Sequence, residues 1–308
     1  MGVLADNFWG IFPYESVAEG RFKANHLFEE EYSAPALRKE PIMIRLGRFV
    51  GVLALGLAIN SMALAQEAPM FVKVNCIKVR PGKSVEFVAF VRDVALKLAK
   101  VRVDRGVYTT ALFAESVYPA GRAAACDYAG VYIYNGFPPE DATPAQTEAD
   151  MKKAGITMTR EAMIAKRDDL SYLVGSDLWR EHGLVGAPKK GDYVRVIYYK
   201  VKPGMAEDWV GMEVKGWKPM AESMAKDVSG SGWGVYTLTM PTGSSLPYNA
   251  QTIDIFPSWD TVGKDMPVVA TWKKVHPDME MNQYFEKLGG IRDRTRADLV
   301  KILEVVTK

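Results

Sequence analysis

The chain has 308 residues, of which 48% are apolar, 25% charged and 11% aromatic, with a net charge of +2 and two cysteines. That composition excludes a disordered, collagen-like or coiled-coil protein, a disulfide-rich scaffold or four-cysteine zinc site, and a partner such as nucleic acid that is held by a strongly basic surface. The length suggests about two domains.

Arg45 and Arg48 precede an apolar run from Phe49 to Ile59, and Ala63-Leu64-Ala65 closes it before Gln66. This is the layout of a secretory signal peptide over 43–65, cleaved after Ala65. An uncleaved anchor is the alternative, although the run is short for a span. A leader belongs at an N-terminus, so 1–42, which carries Glu29-Glu30-Glu31 and no sustained period, is expected to be a mis-assigned extension before a true start at Met43. The mature protein is then periplasmic or secreted, without a stable membrane span, and free to form a homo-oligomer. In that setting Cys76 and Cys126 either join in a disulfide or stay as two buried small hydrophobes.

Beyond the leader the chain repeats itself. Residues 71–82, ending Lys78-Val79-Arg80-Pro81-Gly82, align with 193–204, ending Lys200-Val201-Lys202-Pro203-Gly204, at a constant offset. Gly106-Val107-Tyr108-Thr109 recurs as Gly234-Val235-Tyr236-Thr237, and Val131-Tyr132-Ile133-Tyr134 as Ile253-Asp254-Ile255-Phe256. Arg167-Asp168 recurs as Arg292-Asp293. Ordered matches at so long a period predict a duplicated domain, 66–187 and 192–308, not a solenoid.

Each copy opens with a β-branched and aromatic strand, 70–79 or 192–201, closed by Pro-Gly. An amphipathic helix follows, with Val85, Val88, Val91, Ala95, Leu98 and Val101 inward in copy one, and Met205, Trp209, Met212, Trp217, Met220 and Met224 in copy two. Gly216 and Pro219 predict that the second helix kinks or ends there, with no counterpart in the first. Strands follow at 107–114 with 128–135, and at 234–240 with 251–257. A helical stretch then leads to last strands near 176–181 and 301–306. The order β-α-β-β-α-β predicts an α+β fold of tandem ferredoxin-like repeats. Val194, Val196 and Tyr198 make one apolar face of the second copy's first strand, and Tyr193, Ile197, Tyr199 and Val201 the other. Both faces need covering, which predicts that the two sheets close face to face into an intramolecular barrel-like pseudo-dimer.

With this element order and its strand-(Lys/Arg)-Pro-Gly-helix opening, the segment 70–308 resembles the dimeric α/β-barrel superfamily. That group includes antibiotic-biosynthesis-type monooxygenases, haem-degrading enzymes and NIPSNAP-like proteins. Trp217-Lys218-Pro219, Gly232-Trp233-Gly234-Val235-Tyr236 and Pro241-x-Gly243-x-Ser245-x-Pro247-Tyr248 also resemble exported bacterial proteins of unassigned activity. The resemblance implies the fold, and functions from cofactor-free oxygenation through haem chemistry to simple binding.

Copy two carries Trp209, Trp217, Trp233, Trp259 and Trp272, against Trp179 alone in copy one. Trp209 and Trp217 on the helix, Trp233 and Tyr236 at the next strand, and Tyr198 on the first strand are the expected ligand-binding residues of a flat apolar pocket. The alternative is a core filled with rings, and Trp209, aligned with Phe87, suits it. Glu213 stands where copy one has Val91. Facing an apolar region, it would have a raised pKa and serve as an acid or base; solvated, it would pair with a lysine. His276, before Pro277, is the other catalytic candidate, or else an exposed histidine near a helix end. His182, in Arg180-Glu181-His182-Gly183, is expected to face solvent. So few histidines exclude a His-rich metal site, whereas one axial ligand to haem iron stays open; the cofactor is unassigned. The sequence therefore predicts an exported protein that binds a small apolar or aromatic molecule in a Trp/Tyr-lined pocket, with oxygenase-like chemistry. The alternative is a non-enzymatic assembly protein with a fully packed aromatic core.

Overall fold

Strand pairing around a closed ring organises the molecule. The computed structural model describes residues 68–308; the expected leader at 43–65 and the segment before it lie outside the described residues. The first half contains β1 (Met70–Val79), α1 (Ser84–Phe90), α2 (Leu96–Asp104), β2 (Thr110–Tyr118), β3 (Tyr128–Asn135), α3 (Pro144–Lys153), α4 (Arg160–Leu170) and β4 (Ser171–Val185). The second contains β5 (Tyr193–Val201), α5 (Ala206–Met212), α6 (Lys218–Asp227), β6 (Gly232–Met240), β7 (Ala250–Phe256), α7 (Trp259–Val262), α8 (Val268–Val275), α9 (Met281–Ile291) and β8 (Arg292–Thr307). Among the described residues no helix is long and apolar enough to cross a membrane.

The eight strands form one closed antiparallel barrel in the order β1-β3-β2-β8-β5-β7-β6-β4. Closure is edge to edge, where the sequence suggested two sheets face to face. β4 pairs with β1 along its first part and with β6 along its second, Trp179 standing opposite Val72 on one side and Leu238 on the other. β8 does the same with β5 and β2. This double duty explains why these strands run to 15 and 16 residues, well beyond the short segments expected near 176–181 and 301–306. The first part of β8, Arg292-Asp293-Arg294-Thr295-Arg296, is polar, so no apolar alternation marked it.

The two faces of β5 divide as its alternation requires. Val194 and Val196 point inward with Leu112, Ala114, Ile255 and Ile302, and Tyr198 packs inside beside Trp179, Tyr236 and Tyr248. Ile197, Tyr199 and Val201 point outward beneath the second half's helices. In the first half Phe71, Ile77, Phe113 and Tyr128 play the outward role under Phe87 and Leu98.

Three local expectations change. Val85 is 85% exposed, because Phe87 and Phe90, with Val91 and Val94 after them, set the inward face of the first helix. β2 starts at Thr110, not 107: Gly106 adopts a left-handed φ of +76°, and Tyr108 turns in against Tyr132. The second helix does not stop at Pro219. A π turn, Glu213–Trp217, joins α5 to α6 and leaves Pro219 in the first turn of α6, where its missing N–H removes no helical bond. The first half has the same device, Val91–Ala95, without any proline.

Cys76 and Cys126 form a disulfide across 50 residues. It ties β1 to the segment entering β3, beside Asp127, which accepts from Lys78 Nζ at 2.7 Å and from the Val79 N–H at 2.9 Å.

Trp179 is 1% exposed and stacks on Tyr248, the centroids 5.8 Å apart, within a barrel whose wall both halves build. Trp179→Ala is expected to cost about 3–5 kcal/mol, with the whole barrel lost in one transition. Urea unfolding followed by circular dichroism and by fluorescence checks this: two separated transitions would mean that the halves unfold independently.

Candidate functional site

Beneath the second half's helices the outer sheet face does not fill the available space. A cavity of about 830 Å³ lies there. Its floor comes from alternate residues on neighbouring strands: Arg195, Ile197 and Tyr199 of β5, Thr252 and Asp254 of β7, and Arg292 and Arg294 of β8. Trp233 of β6 closes one side. The walls are Trp217 of the π turn, Ala221 and Met224 of α6, and Phe285 and Leu288 of α9. The corresponding space in the first half holds bulk instead. Tyr132 stands at the position of Asp254 and Val91 at that of Glu213, and both are buried in its core.

Glu213 begins the π turn and lines the cavity while only 1% exposed. Its Oε1 lies 3.1 Å from Arg292 Nη1, and the Arg292 guanidinium covers the Tyr199 ring at 3.6 Å. The closest atoms of this ion pair lack hydrogen-bonding geometry, and the buried Trp209 Nε1 also has no directed partner. Burial pushes the Glu213 carboxyl up to about 7. Arg292 opposes that rise, Asp254 adds to it, and the Trp209 N–H works against it. A carboxyl so placed can both release and accept a proton near neutrality. Asp254 is likewise pushed up by burial, against the pull of Arg195, whose Nε donates to it at 2.9 Å.

The π turn also orients its surroundings. Carbonyls freed from the regular helical pattern accept from outside: Met212 O from Tyr284 Oη at 3.1 Å, and Gly216 O from His276 Nε2 at 2.9 Å. Gly216 is required there, since a Cβ would lie 2.5 Å from the Tyr284 ring.

Of the residues singled out from sequence, Glu213, Trp217 and Trp233 meet at the cavity. Trp209 does not line it; fully buried, it packs on Tyr199 with ring centroids 6.0 Å apart. Tyr198 and Tyr236 lie on the opposite sheet face, inside the barrel. Trp233 and Tyr236 are three residues apart on one strand, so the pleat must send them to opposite sides. His276 follows α8 as its C-terminal cap, its ring tilted against Trp272 with centroids 4.7 Å apart, outside the cavity lining. His182 is part-buried on β4, its Nε2 2.7 Å from Thr237 Oγ1, and burial with Arg180 beside it holds its imidazole below the usual range. Glu213 meets an arginine from the far end of the chain, not a lysine. Sequence reasoning missed Arg195, Arg292, Arg294, Asp254 and Phe285. The signal for two of them was the alternation Arg292, Arg294, Arg296, the mark of a strand.

Among the described residues no group of three or more His, Cys, Asp or Glu side chains converges on a metal position. No histidine lines the cavity, and a carbonyl occupies His276 Nε2. The residues present therefore do not fit a haem held by a histidine.

No protein-family model matches the chain, and no curated protein matches it. Among solved structures, a candidate monooxygenase from Fusobacterium nucleatum is similar at 10% identity and a TM-score of 0.46, over 79% of this chain and 96% of that one. A second candidate monooxygenase, from Lactobacillus acidophilus, aligns at 12% identity and 0.46, over 78% and 97%. A chlorite dismutase variant from Candidatus Nitrospira defluvii aligns at 11% and 0.42, over 78% and 93%. At such identities the likeness concerns the course of the chain, not its chemistry.

The raised Glu213 pKa fixes the sign of a pH effect. From about 4.5, the ordinary value, to about 7 the unfolded chain has released this proton while the folded chain keeps it, so this group's contribution to stability falls as pH rises through that window. Glu213→Gln, neutral throughout, is expected to flatten that part of the profile. Thermal midpoints of both proteins at pH 5, 6, 7 and 8 check this, and parallel profiles would mean that Glu213 titrates normally.

Proposed function

We propose that this chain is an exported protein made of two tandem ferredoxin-like repeats, which binds a small apolar or aromatic molecule in the cavity of its second repeat. One observation carries the binding reading: a cavity of about 830 Å³, walled by Trp217, Trp233, Met224 and Phe285, is lined by the buried pair of Glu213 from the π turn and Arg292 from the sheet floor. An apolar enclosure with a few convergent polar groups is the usual form of a small-molecule site. The duplication is supported by the match of 71–82 with 193–204 at a constant offset and by the recurrence of the strand order, with a π turn in the first helix of each half. Export is supported by the leader composition at 43–65 and by the Cys76–Cys126 bond, since disulfides persist in oxidising compartments.

The oxygenase-like chemistry implied by the sequence resemblance requires a proton acceptor at the bound molecule. Glu213 is the group positioned for it. Trp217 and Trp233 orient a flat ligand, and Arg292 holds the Glu213 carboxylate while supplying positive charge beside it.

Titration with naphthalene-methanol, a flat and largely apolar probe, is expected to quench tryptophan emission through Trp217 and Trp233. Ala221→Phe places a ring inside the cavity and is expected to weaken binding at least about tenfold, or about 1.4 kcal/mol, with the barrel intact by circular dichroism. Equal, negligible binding by both proteins would favour the assembly reading. For export, N-terminal sequencing of the chain made from Met43 in a secreting bacterial host is expected to begin at Gln66; a product keeping 43–65 would overturn cleavage.

A further inference from the structure

The charges in the cavity lining do not balance. Glu213 faces Arg292 at 3.1 Å and Asp254 faces Arg195 at 2.9 Å, so each carboxylate already has an arginine. Arg294, two residues beyond Arg292 on β8 and paired in register with Tyr199, lines the same floor. Its charge reaches Asp254, but it makes no ion pair within 4.0 Å among the described residues, and it is exposed. Lys264 at the rim is offset by Asp265 beside it. With Arg195, Arg292 and Lys264 balanced in this way, Arg294 leaves the enclosure with a net positive charge. A cationic ligand would meet three guanidinium groups. A ligand with no charge would leave the exposed one unused.

We propose that the molecule held in this cavity is an organic anion, an aromatic or apolar body carrying a carboxylate or comparable acidic group that Arg294 receives. This rests on the cavity being a binding site and names the ligand class it takes. The guanidinium fork suits a carboxylate, which it can engage through two parallel N–H donors. The ring system enters between Trp217 and Trp233, and the acidic group stays on the floor toward the exposed end of β8. Arg195 and Arg292, held by their own carboxylates, contribute field rather than direct contact.

The test uses three probes of one shape on the whole chain: 1-naphthoate, 1-naphthalenemethanol and 1-naphthylmethylammonium, followed by tryptophan quenching and calorimetry. Naphthoate is expected to bind at least about tenfold more tightly than the alcohol, and the ammonium most weakly. Arg294→Gln, at an exposed position, is expected to remove the preference for naphthoate over the alcohol, while Arg294→Lys keeps part of it. The proposal is overturned if the alcohol or the ammonium binds as tightly as naphthoate, or if the preference survives in Arg294→Gln. In either case the cavity remains a binding site. Failure of all three probes to bind would overturn the cavity reading and this inference together.

Discussion

Each half of the barrel has a sheet that is apolar on both faces, and its own helices can cover only one. That constraint governs the architecture. The inward faces of β1, β3 and β2 are buried only because those of β5, β7 and β6 meet them across the barrel. The joint is made of backbone. β4 and β8 each complete the hydrogen bonding of two edges that would otherwise be open, which also removes the hazard of exposed strand edges. Trp179 shows how closely pairing and packing are linked, since it belongs to a joining strand and fills the interior between rings from the second half.

With the inward face committed to holding the halves together, only the outward faces are free to differ. There the halves diverge. In the first, Ile77, Tyr132 and Val91 pack against the helices. In the second, the aligned positions hold Tyr199, Asp254 and Glu213, and space opens over them. The π turn is common to both, so it did not arise with the cavity. What differs is the residue at its start, valine in one half and glutamate in the other.

The element order and the two-faced first strand could be read from the sequence because they depend on local period: apolar alternation in strands, three-or-four spacing in helices, and Pro-Gly stops. Glu213 was visible for a similar reason, as a charge standing where the aligned position of the first half has valine. Its partner was not. Arg292 lies 79 positions later, on a strand whose opening, Arg-Asp-Arg-Thr-Arg, reads as a solvated charge run. Only the closure of β8 against β5 brings it under the helix. Grouping Trp233 with Tyr236 failed for a simpler reason: three residues apart on one strand, they point to opposite sides of the sheet. The cavity could not be foreseen either, since it results from how α6, α9 and the segment 257–268 sit over the sheet, which no period encodes.

Three of the buried polar atoms without directed partners, Glu213 Oε1, Arg292 Nη1 and Trp209 Nε1, belong to neighbouring side chains at or beside the cavity. Buried ion pairs seldom improve stability over apolar residues of the same volume, and the first half shows that valine is accommodated at the Glu213 position. A fold that needed only to close its barrel had a less costly solution already present in its first half. Retaining a charge pair with poor hydrogen bonding, under tryptophans that leave room beside it, departs from the local packing rule, and such departures concentrate where a protein meets a ligand. The asymmetry between the halves therefore points to function in the second and to support in the first.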